Sequence, residues 1–195
     1  MRNGADERDE ELVRRYLGGD ATAFAELVRR HETRVYNLCF RLLGNREDAR
    51  DAAQDTFLSL VRKLKGFRGE AAFSTWLYRV TANACHDALR RRRRQPRTLE
   101  LVQEGPAEPA ADDDPSRAGD AADVQRALLQ VPEEFRAAVV LHDVQDLEYA
   151  EIATILGIPV GTVKSRIHRG RVALARALGL REPGEPPGPS KGADG

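Results

Sequence analysis

The sequence predicts an all-α protein made of two small helical domains joined by a disordered acidic linker. A length of 195 residues suits one or two small domains. Apolar residues recur at the three- and four-residue spacing of a helix face on both sides of a central stretch in which Pro, Ala, Gly and Asp dominate and periodicity disappears. The predicted segments are a first domain at 1–95, the linker at 96–120, a second domain at 121–181 and a disordered Pro/Gly tail at 182–195.

The first three helices of the first domain follow from apolar spacing and capping residues. A short helical pattern over 10–17 ends at a pair of glycines. Asp20 can cap a long helix that runs to about Leu43, where Gly44 stops it. The apolar stripe of this helix comprises Phe24, Leu27, Val28, Val35, Leu38 and Leu42. A third helix begins near Arg46. Its predicted apolar face comprises Ala49, Ala53, Phe57, Leu60, Val61 and Leu64.

The fourth helix follows a loop that contains Gly66 and Gly69. Ser74 or Thr75 is expected to cap this helix. It ends in five consecutive arginines, 90–94, and Pro96 prevents its continuation. Its predicted buried face comprises Trp76, Leu77, Val80, Ala84 and Leu89.

Charge is segregated along the chain, although the formal net charge is zero. Residues 1–98 carry 21 Lys and Arg against 14 Asp and Glu, whereas residues 99–123 carry one Arg against eight acids. Residues 160–181 contain six basic residues and no acid. Such blocks indicate two basic surfaces joined by an acidic tether. Most of the basic residues are arginine, which suits phosphate contacts but is equally expected of a protein from a GC-rich genome.

The cysteines, histidines and apolar runs argue against several classes of protein. Cys39 and Cys85 lie in apolar helical patterns without CxxC or ligand-spaced histidines, so we expect buried free thiols, no metal and no cofactor. We assign no catalytic residues, because the sequence has no glycine-rich phosphate loop and no Ser/His/Asp arrangement. The N-terminus is polar and acidic, and no apolar run approaches the roughly 18 residues of a membrane span. These features predict a cytoplasmic protein without membrane insertion.

The most patterned stretch of the second domain, 147–178, predicts a helix-turn-helix. Gly157 can adopt the positive φ of a sharp turn, and the small side chain of Ala153 allows the second helix to approach closely. That second helix begins near Val160. Packing between the helices is expected to involve Ile152, Leu156, Ile158, Val163, Ile167, Leu174 and Leu178.

The outward face of this second helix is predicted to bind DNA. Side chains near the N-terminus of such a helix reach base edges in the major groove, and later arginines suit phosphates. An ordinary helical hairpin with a solvated basic face is the alternative. The spacing of the small residues and the acid-free basic face favour DNA binding. The candidate contacts are Thr162, Lys164, Ser165, Arg166, His168, Arg169 and Arg171.

Two long motifs resemble those of bacterial sigma factors. Residues 47–94 are similar to region 2 of that family, and they contain "ARDAAQDTF", which resembles the core-polymerase-binding motif. The promoter-melting, −10-reading segment of the family resembles "FRGEAAFSTWLYRVTANACHDALRRR", and its −35-reading helix-turn-helix in region 4 resembles "PVGTVKSRIHRGR". The order of the motifs, the short linker and the missing regions 1 and 3 point to the extracytoplasmic-function (group four) sigma factors. The chain departs from the usual family residues at Thr81, Cys85, His86 and His168.

The resemblance implies roles for particular residues. An acidic, amide-bearing face on the third helix, otherwise interpreted as a solvated face, would dock on the coiled coil of the largest subunit of core RNA polymerase. Its members are Asp48, Asp51, Gln54 and Asp55. Contacts to the −10 element would come from Arg68, Tyr78, Arg79, Asn83, Arg90 and Arg91. Asn83 offers a donor and an acceptor to a base taken out of the stack. Phe57 and Trp76 are expected in the core instead.

Promoter DNA, core polymerase and an anti-sigma factor are therefore the expected partners. The acidic linker would thread the RNA exit path of polymerase and mimic the charge of RNA, or it would be a simple tether. A two-domain helix-turn-helix regulator that does not associate with polymerase is the alternative function. Such a regulator needs a ligand or phosphoacceptor domain upstream, and the first domain lacks the strand-helix alternation of a receiver. An enzyme is the more distant alternative.

Overall fold

Helices make up most of the part of the chain that the structure describes. The computed structural model describes residues 4–94 and 115–180, and within them no strand occurs. The helices are α1 (Gly4–Leu17), α2 (Ala21–Leu43), α3 (Arg46–Lys63), α4 (Phe73–Arg94), α5 (Pro115–Gln130), α6 (Glu133–Val139), α7 (Tyr149–Leu156) and α8 (Val160–Ala177). The predicted all-α fold class is confirmed. The tail predicted at 182–195 and most of the predicted linker lie outside the described residues, and α5 begins within the segment 96–120 that the sequence assigned to the linker.

Helix α2 is the centre of the first domain and is capped at both ends as predicted. The Asp20 carboxylate accepts a hydrogen bond from the Thr22 backbone N–H at 3.0 Å. Hydrogen bonds from the Thr22 and Arg15 side chains lower the pKa of this carboxyl to about 2. Gly44 ends the helix in the left-handed region at φ 75°, and its N–H donates to Phe40 O at 2.8 Å. Helices α1, α3 and α4 pack around α2.

Two details of the first domain differ from the prediction. Helix α4 begins at Phe73, so neither Ser74 nor Thr75 caps it. The Phe73 ring is fully buried and packs edge-on against Phe67, and this aromatic contact places the first turn. Val61 is 42% exposed and is not part of the core, because the buried face of α3 is centred on other residues. That buried face comprises Ala49, Ala52, Thr56, Leu60 and, just after the helix, Leu64.

The two cysteines are buried free thiols, as predicted. Cys39 on α2 and Cys85 on α4 are in side-chain contact, and the hydrogen bond from Cys85 together with burial raises the pKa of the Cys39 thiol far above its usual value. Thr81 is buried nearby on α4, and its hydroxyl donates to Leu77 O at 3.0 Å. These polar departures from the family pattern are therefore accommodated inside the helical core.

The second domain is built around α8, which packs against α5, α6 and α7. The closest approach is at Gly170, where an added Cβ would lie 3.0 Å from Phe135 O and would overlap the Val139 side chain. Helix α6 continues into a π-helical turn, Val140–Val144, before the chain reaches α7. This second domain also contacts the first, chiefly through α7 against α4 and α5 against α2.

Candidate nucleic-acid and polymerase interfaces

Helices α7 and α8 form the predicted helix-turn-helix. A capping box between Glu148 and Glu151 starts α7, and Gly157 ends it in the left-handed region at φ 65° and ψ 36°. Helix α8 then begins at Val160, as predicted. Buried Val163 and Ile167 hold it against the rest of the domain, and the opposite face points outward.

The first two turns of α8 place most of the predicted DNA contacts at the surface. Lys164, Ser165 and His168 are exposed, whereas Thr162 is half-buried. The Ser165 hydroxyl donates to Thr162 O at 2.9 Å, and the Lys164 ammonium lies 5.6 Å from the centroid of the Tyr149 ring. This end of the helix therefore presents hydroxyl, ammonium and imidazole groups, which can all hydrogen-bond to base edges or phosphates.

The arginines of α8 have partners within the second domain. Arg166 has a 25% exposed side chain and pairs with Glu134 at 3.0 Å. Arg169 is exposed, with its guanidinium 5.9 Å from the centroid of the Phe135 ring. Arg171 Nε donates to the Asp143 carboxylate at 2.9 Å, and this hydrogen bond is the largest cause of the lowered pKa of Asp143. Phosphate contact by Arg166 or Arg171 therefore competes with an existing ion pair.

The loop before α4 and the exposed face of α4 carry most of the predicted −10 contacts. Arg68 has an 82% exposed side chain, and Gly69 turns the chain at φ 68°. Arg79 and Asn83 are exposed one turn apart on α4. Trp76, which the sequence placed in the core, is half-buried and packs against the core, with its ring centroid 5.4 Å from that of Phe67 and the two rings tilted by 55°.

Tyr78 occupies a different position from the other −10 candidates. Its side chain is buried at 5% exposure, and its hydroxyl donates to Gln145 Oε1 of the second domain at 3.0 Å. Burial raises the pKa of this phenol. In this conformation the ring is covered, so a base cannot stack on it.

The arginine run at the end of α4 lies beside the acidic face of α3. Arg91 approaches Asp55 at 3.3 Å and Arg92 approaches Asp48 at 3.9 Å, while Arg90 lies 4.0 Å from Asp87. All three arginine side chains are more than half exposed. The candidate phosphate contacts and two of the candidate polymerase contacts are thus neighbours in the folded chain.

The candidate polymerase-docking face of α3 continues into two exposed apolar residues that the sequence prediction did not include in it. Asp51 and Gln54 are exposed, as that face requires. Leu58 at 50% exposure and Val61 at 42% continue the same stripe at helical spacing. Helical spacing could have identified these residues from the sequence, because Leu58 follows Asp51 by seven residues and Gln54 by four. An acidic stripe that ends in exposed apolar side chains is typical of a protein interface.

Comparisons with known proteins agree with this arrangement. Models of Sigma-70 region 2 and Sigma-70 region 4 match residues 27–95 and 121–174, respectively. The ECF RNA polymerase sigma factor SigM of Mycobacterium tuberculosis is 44% identical over 177 residues, a match that covers 90% of this chain and 87% of SigM. The ECF sigma factor SigE of Mycolicibacterium smegmatis is 46% identical over 155 residues, which is 76% of this chain but only 59% of SigE.

A solved structure shares the fold. The sigma factor RpoE of Bartonella quintana, solved in complex with the anti-sigma factor NepR, superposes with a TM-score of 0.67 at 24% identity, covering 80% of this chain and 97% of RpoE. The two region models place the chain among sigma-70 proteins, which are transcription initiation factors. Together with its relatives they show that it belongs to the extracytoplasmic-function sigma factors of RNA polymerase. None of the described helices combines the length and apolar character needed to cross a bilayer.

Proposed function

We propose that this chain binds core RNA polymerase through α3 and directs initiation at promoters whose −10 and −35 elements it contacts through α4 and α8. The observation that carries the proposal is the exposed, acid-free first half of α8 in a helix-turn-helix, on the same chain as the exposed Arg79–Asn83 face of α4. One basic helix is common to many regulators. Two such surfaces, with the relatedness to ECF sigma factors, favour a subunit that holds two promoter elements.

Each surface has a proposed role that suits its chemistry. On α3, Asp51, Gln54 and Asp55 meet the basic partner surface of the largest polymerase subunit, and Leu58 and Val61 add apolar contact. On α4, Asn83 reads a base that has left the stack, at a cost of a few kcal/mol that contacts to the freed strand offset. The remaining −10 and −35 candidates position the DNA through phosphates and base edges.

The proposed partners are core RNA polymerase, promoter DNA and an anti-sigma factor. Support for the last of these comes from the RpoE–NepR complex, whose sigma factor has this fold. The chain would act in the cytoplasm, where its DNA and polymerase partners are, and would perform no catalysis itself. The proposed division into domains at 1–95 and 121–181, with an acidic tether between them, is consistent with the ranges of the two family matches.

The test is co-purification with bacterial core RNA polymerase, followed by run-off transcription on fragmented DNA from the genome that encodes the chain. We expect stable association and new promoter-specific transcripts. A failure to associate, together with tight binding of duplex DNA by the free chain, would contradict the proposal and favour the conventional regulator.

Single substitutions separate the three surfaces. Arg166→Ala is expected to weaken −35 duplex binding by roughly 1–3 kcal/mol if it contacts a base. Asn83→Ala should leave polymerase binding intact and reduce open-complex formation. Charge reversal at Asp51 and Asp55 should weaken assembly with core enzyme while leaving the fold unchanged, which circular dichroism checks. Equal loss of all three activities in every variant would argue against separate surfaces.

A further inference from the structure

The π-helical turn that precedes the helix-turn-helix has an unusual backbone. It spans Val140–Val144 and is closed by a hydrogen bond from the Gln145 N–H to Val140 O at 3.1 Å. Asp146 follows it at φ 54° and is the only non-glycine residue with a positive φ in the described part of the chain. Such turns are rare and frequent at functional sites, and a positive φ costs free energy for a residue with a Cβ. The contacts of the side chains in this turn show what the unusual backbone achieves.

Two side chains of the π-helical turn contact α8. His142 Nδ1 lies 2.7 Å from Asp143 Oδ1 and 3.2 Å from Arg171 Nη2. The Asp143 carboxylate accepts a hydrogen bond from Arg171 Nε at 2.9 Å. The neighbouring Val140 and Leu141 are fully buried. The turn is therefore fixed in the core on one side and attached to α8 on the other.

The same turn supports a lysine of α8 through two aromatic rings. The His142 ring stacks on the Tyr149 ring with centroids 5.1 Å apart and an interplanar angle of 26°. The Lys164 ammonium lies 5.6 Å from the centroid of the Tyr149 ring, within the range of a cation–π interaction. Tyr149 is half-buried, whereas Lys164 is exposed. We call the stacked pair of His142 and Tyr149, anchored by Asp143 and Arg171, the aromatic platform.

The aromatic platform restricts a side chain that is otherwise flexible. A lysine on a helix surface samples many rotamers and loses this freedom when it binds a partner. A ring that holds the ammonium before DNA arrives reduces that loss. Lys164 lies one turn into α8, where side chains of a recognition helix reach base edges in the major groove. Guanine suits an ammonium there best, because it presents two acceptors, O6 and N7.

We propose that the aromatic platform positions Lys164 to read a guanine in the −35 element. Tyr149 is a positioning residue that contacts Lys164 directly, and His142 acts one step further away by supporting the Tyr149 ring. The inference rests on the proposed function, because it concerns how α8 reads the −35 element. The ion pair between Asp143 and Arg171 keeps the platform attached to the helix whose lysine it orients.

The test compares base preferences of assembled holoenzymes. Affinity is measured for a promoter fragment identified by run-off transcription and for versions of it with each −35 base pair replaced in turn. Lys164→Met should reduce the preference for guanine at one position. Tyr149→Leu should reduce the preference at that same position by about three- to tenfold, because it removes the ring, whereas Tyr149→Phe keeps the ring and should retain the preference. Val144→Ala is the matched control, since Val144 is 49% exposed in the same turn and should leave every preference unchanged.

A double substitution separates positioning from a purely structural role. In a chain that already carries Lys164→Met, Tyr149→Leu should have no further effect on the guanine preference. Two results would overturn the proposal. One is a loss of affinity from Tyr149→Leu that is equal for all −35 sequences or equally large without Lys164. The other is a Lys164→Met chain whose preferences match those of the wild type, because no base reading would then exist to be positioned.

A second variant decides the matter if Tyr149→Leu unfolds the second domain, which thermal unfolding followed by circular dichroism detects. His142→Ala removes the support of the ring and leaves Tyr149 in place. It should reduce the preference at the position assigned by Lys164→Met, and an unchanged preference would contradict the proposal. Absence of promoter-specific transcripts from the wild-type holoenzyme instead contradicts the proposed function itself.

Discussion

Arg136 is the buried charge on which we expect the fold to depend most. Its side chain is 7% exposed, and its guanidinium donates to three backbone carbonyls, Leu42 O at 2.6 Å, Leu129 O at 3.2 Å and Val131 O at 3.1 Å. Burial lowers the pKa of this arginine because it removes the charged guanidinium from water. The hydrogen bonds to the three carbonyls offset this desolvation cost. Hydrogen bonds to a charged group contribute about 1.5–3 kcal/mol each, and a carbonyl left buried without a partner costs about 1–3 kcal/mol.

Arg136→Ala removes all three donors together with the cost of burying the charge. Because these effects oppose each other, we expect a net loss of about 3–5 kcal/mol in the free energy of unfolding. Urea denaturation followed by circular dichroism measures this loss. Arg126→Ala on α5 is the control, since Arg126 is 71% exposed and pairs with Asp123 one turn away; its effect should stay below about 0.5 kcal/mol. A loss below about 1 kcal/mol for Arg136→Ala would refute the reasoning.

Two further predictions concern the second domain. Gly170→Ala should destabilise it by about 1–3 kcal/mol in thermal unfolding because the new methyl group meets Phe135 O. Gly161→Ala, in the same helix with open space around it, should be neutral or stabilising, and equal effects at both glycines would argue against the close approach. The hydrogen bond from Arg171 lowers the pKa of Asp143 in the folded chain. The Asp143–Arg171 pair therefore contributes to stability above the ordinary carboxyl pKa of the unfolded chain, and this contribution is lost as pH falls through the lowered pKa of the folded chain. The stability difference between wild type and Asp143→Asn should therefore shrink below about pH 4, and a difference constant from pH 7 to pH 2.5 would contradict it.

Local features of the chain were predictable because neighbours in sequence determine them. The Asp20 cap, the left-handed Gly44 and Gly157 and the start of α8 at Val160 each depend on residues within one helical turn. The exposure of most −35 candidates on α8 followed from helical periodicity in the same way. The sequence prediction placed Val61 on the buried face because apolar residues of α3 lie on two adjacent sides of the helix. Only the helices packed against α3 determine which of these two sides is buried.

Buried polar contacts were not predictable, because their partners lie far apart in sequence. Asp9 and His31 are both buried and meet at 2.8 Å across 22 positions, joining α1 to α2. Arg136 reaches Leu42 O across 94 positions. Asp and Arg are mostly exposed in proteins and His is intermediate, so a sequence pattern does not assign them to the core unless a partner is known. The burial of Tyr78 is the same kind of effect, since a residue of the second domain covers it.

The contact at the end of α2 shows how one domain can satisfy the helix terminus of another. The last four carbonyls of a helix have no partner within it, and this end carries the negative part of the helix dipole. Leu42 O belongs to this set, and the Arg136 cation satisfies it from another domain, as a C-terminal capping group would do locally. Arg136→Ala would leave this carbonyl inside the domain contact without that donor, which is one reason why we expect the substitution to be costly.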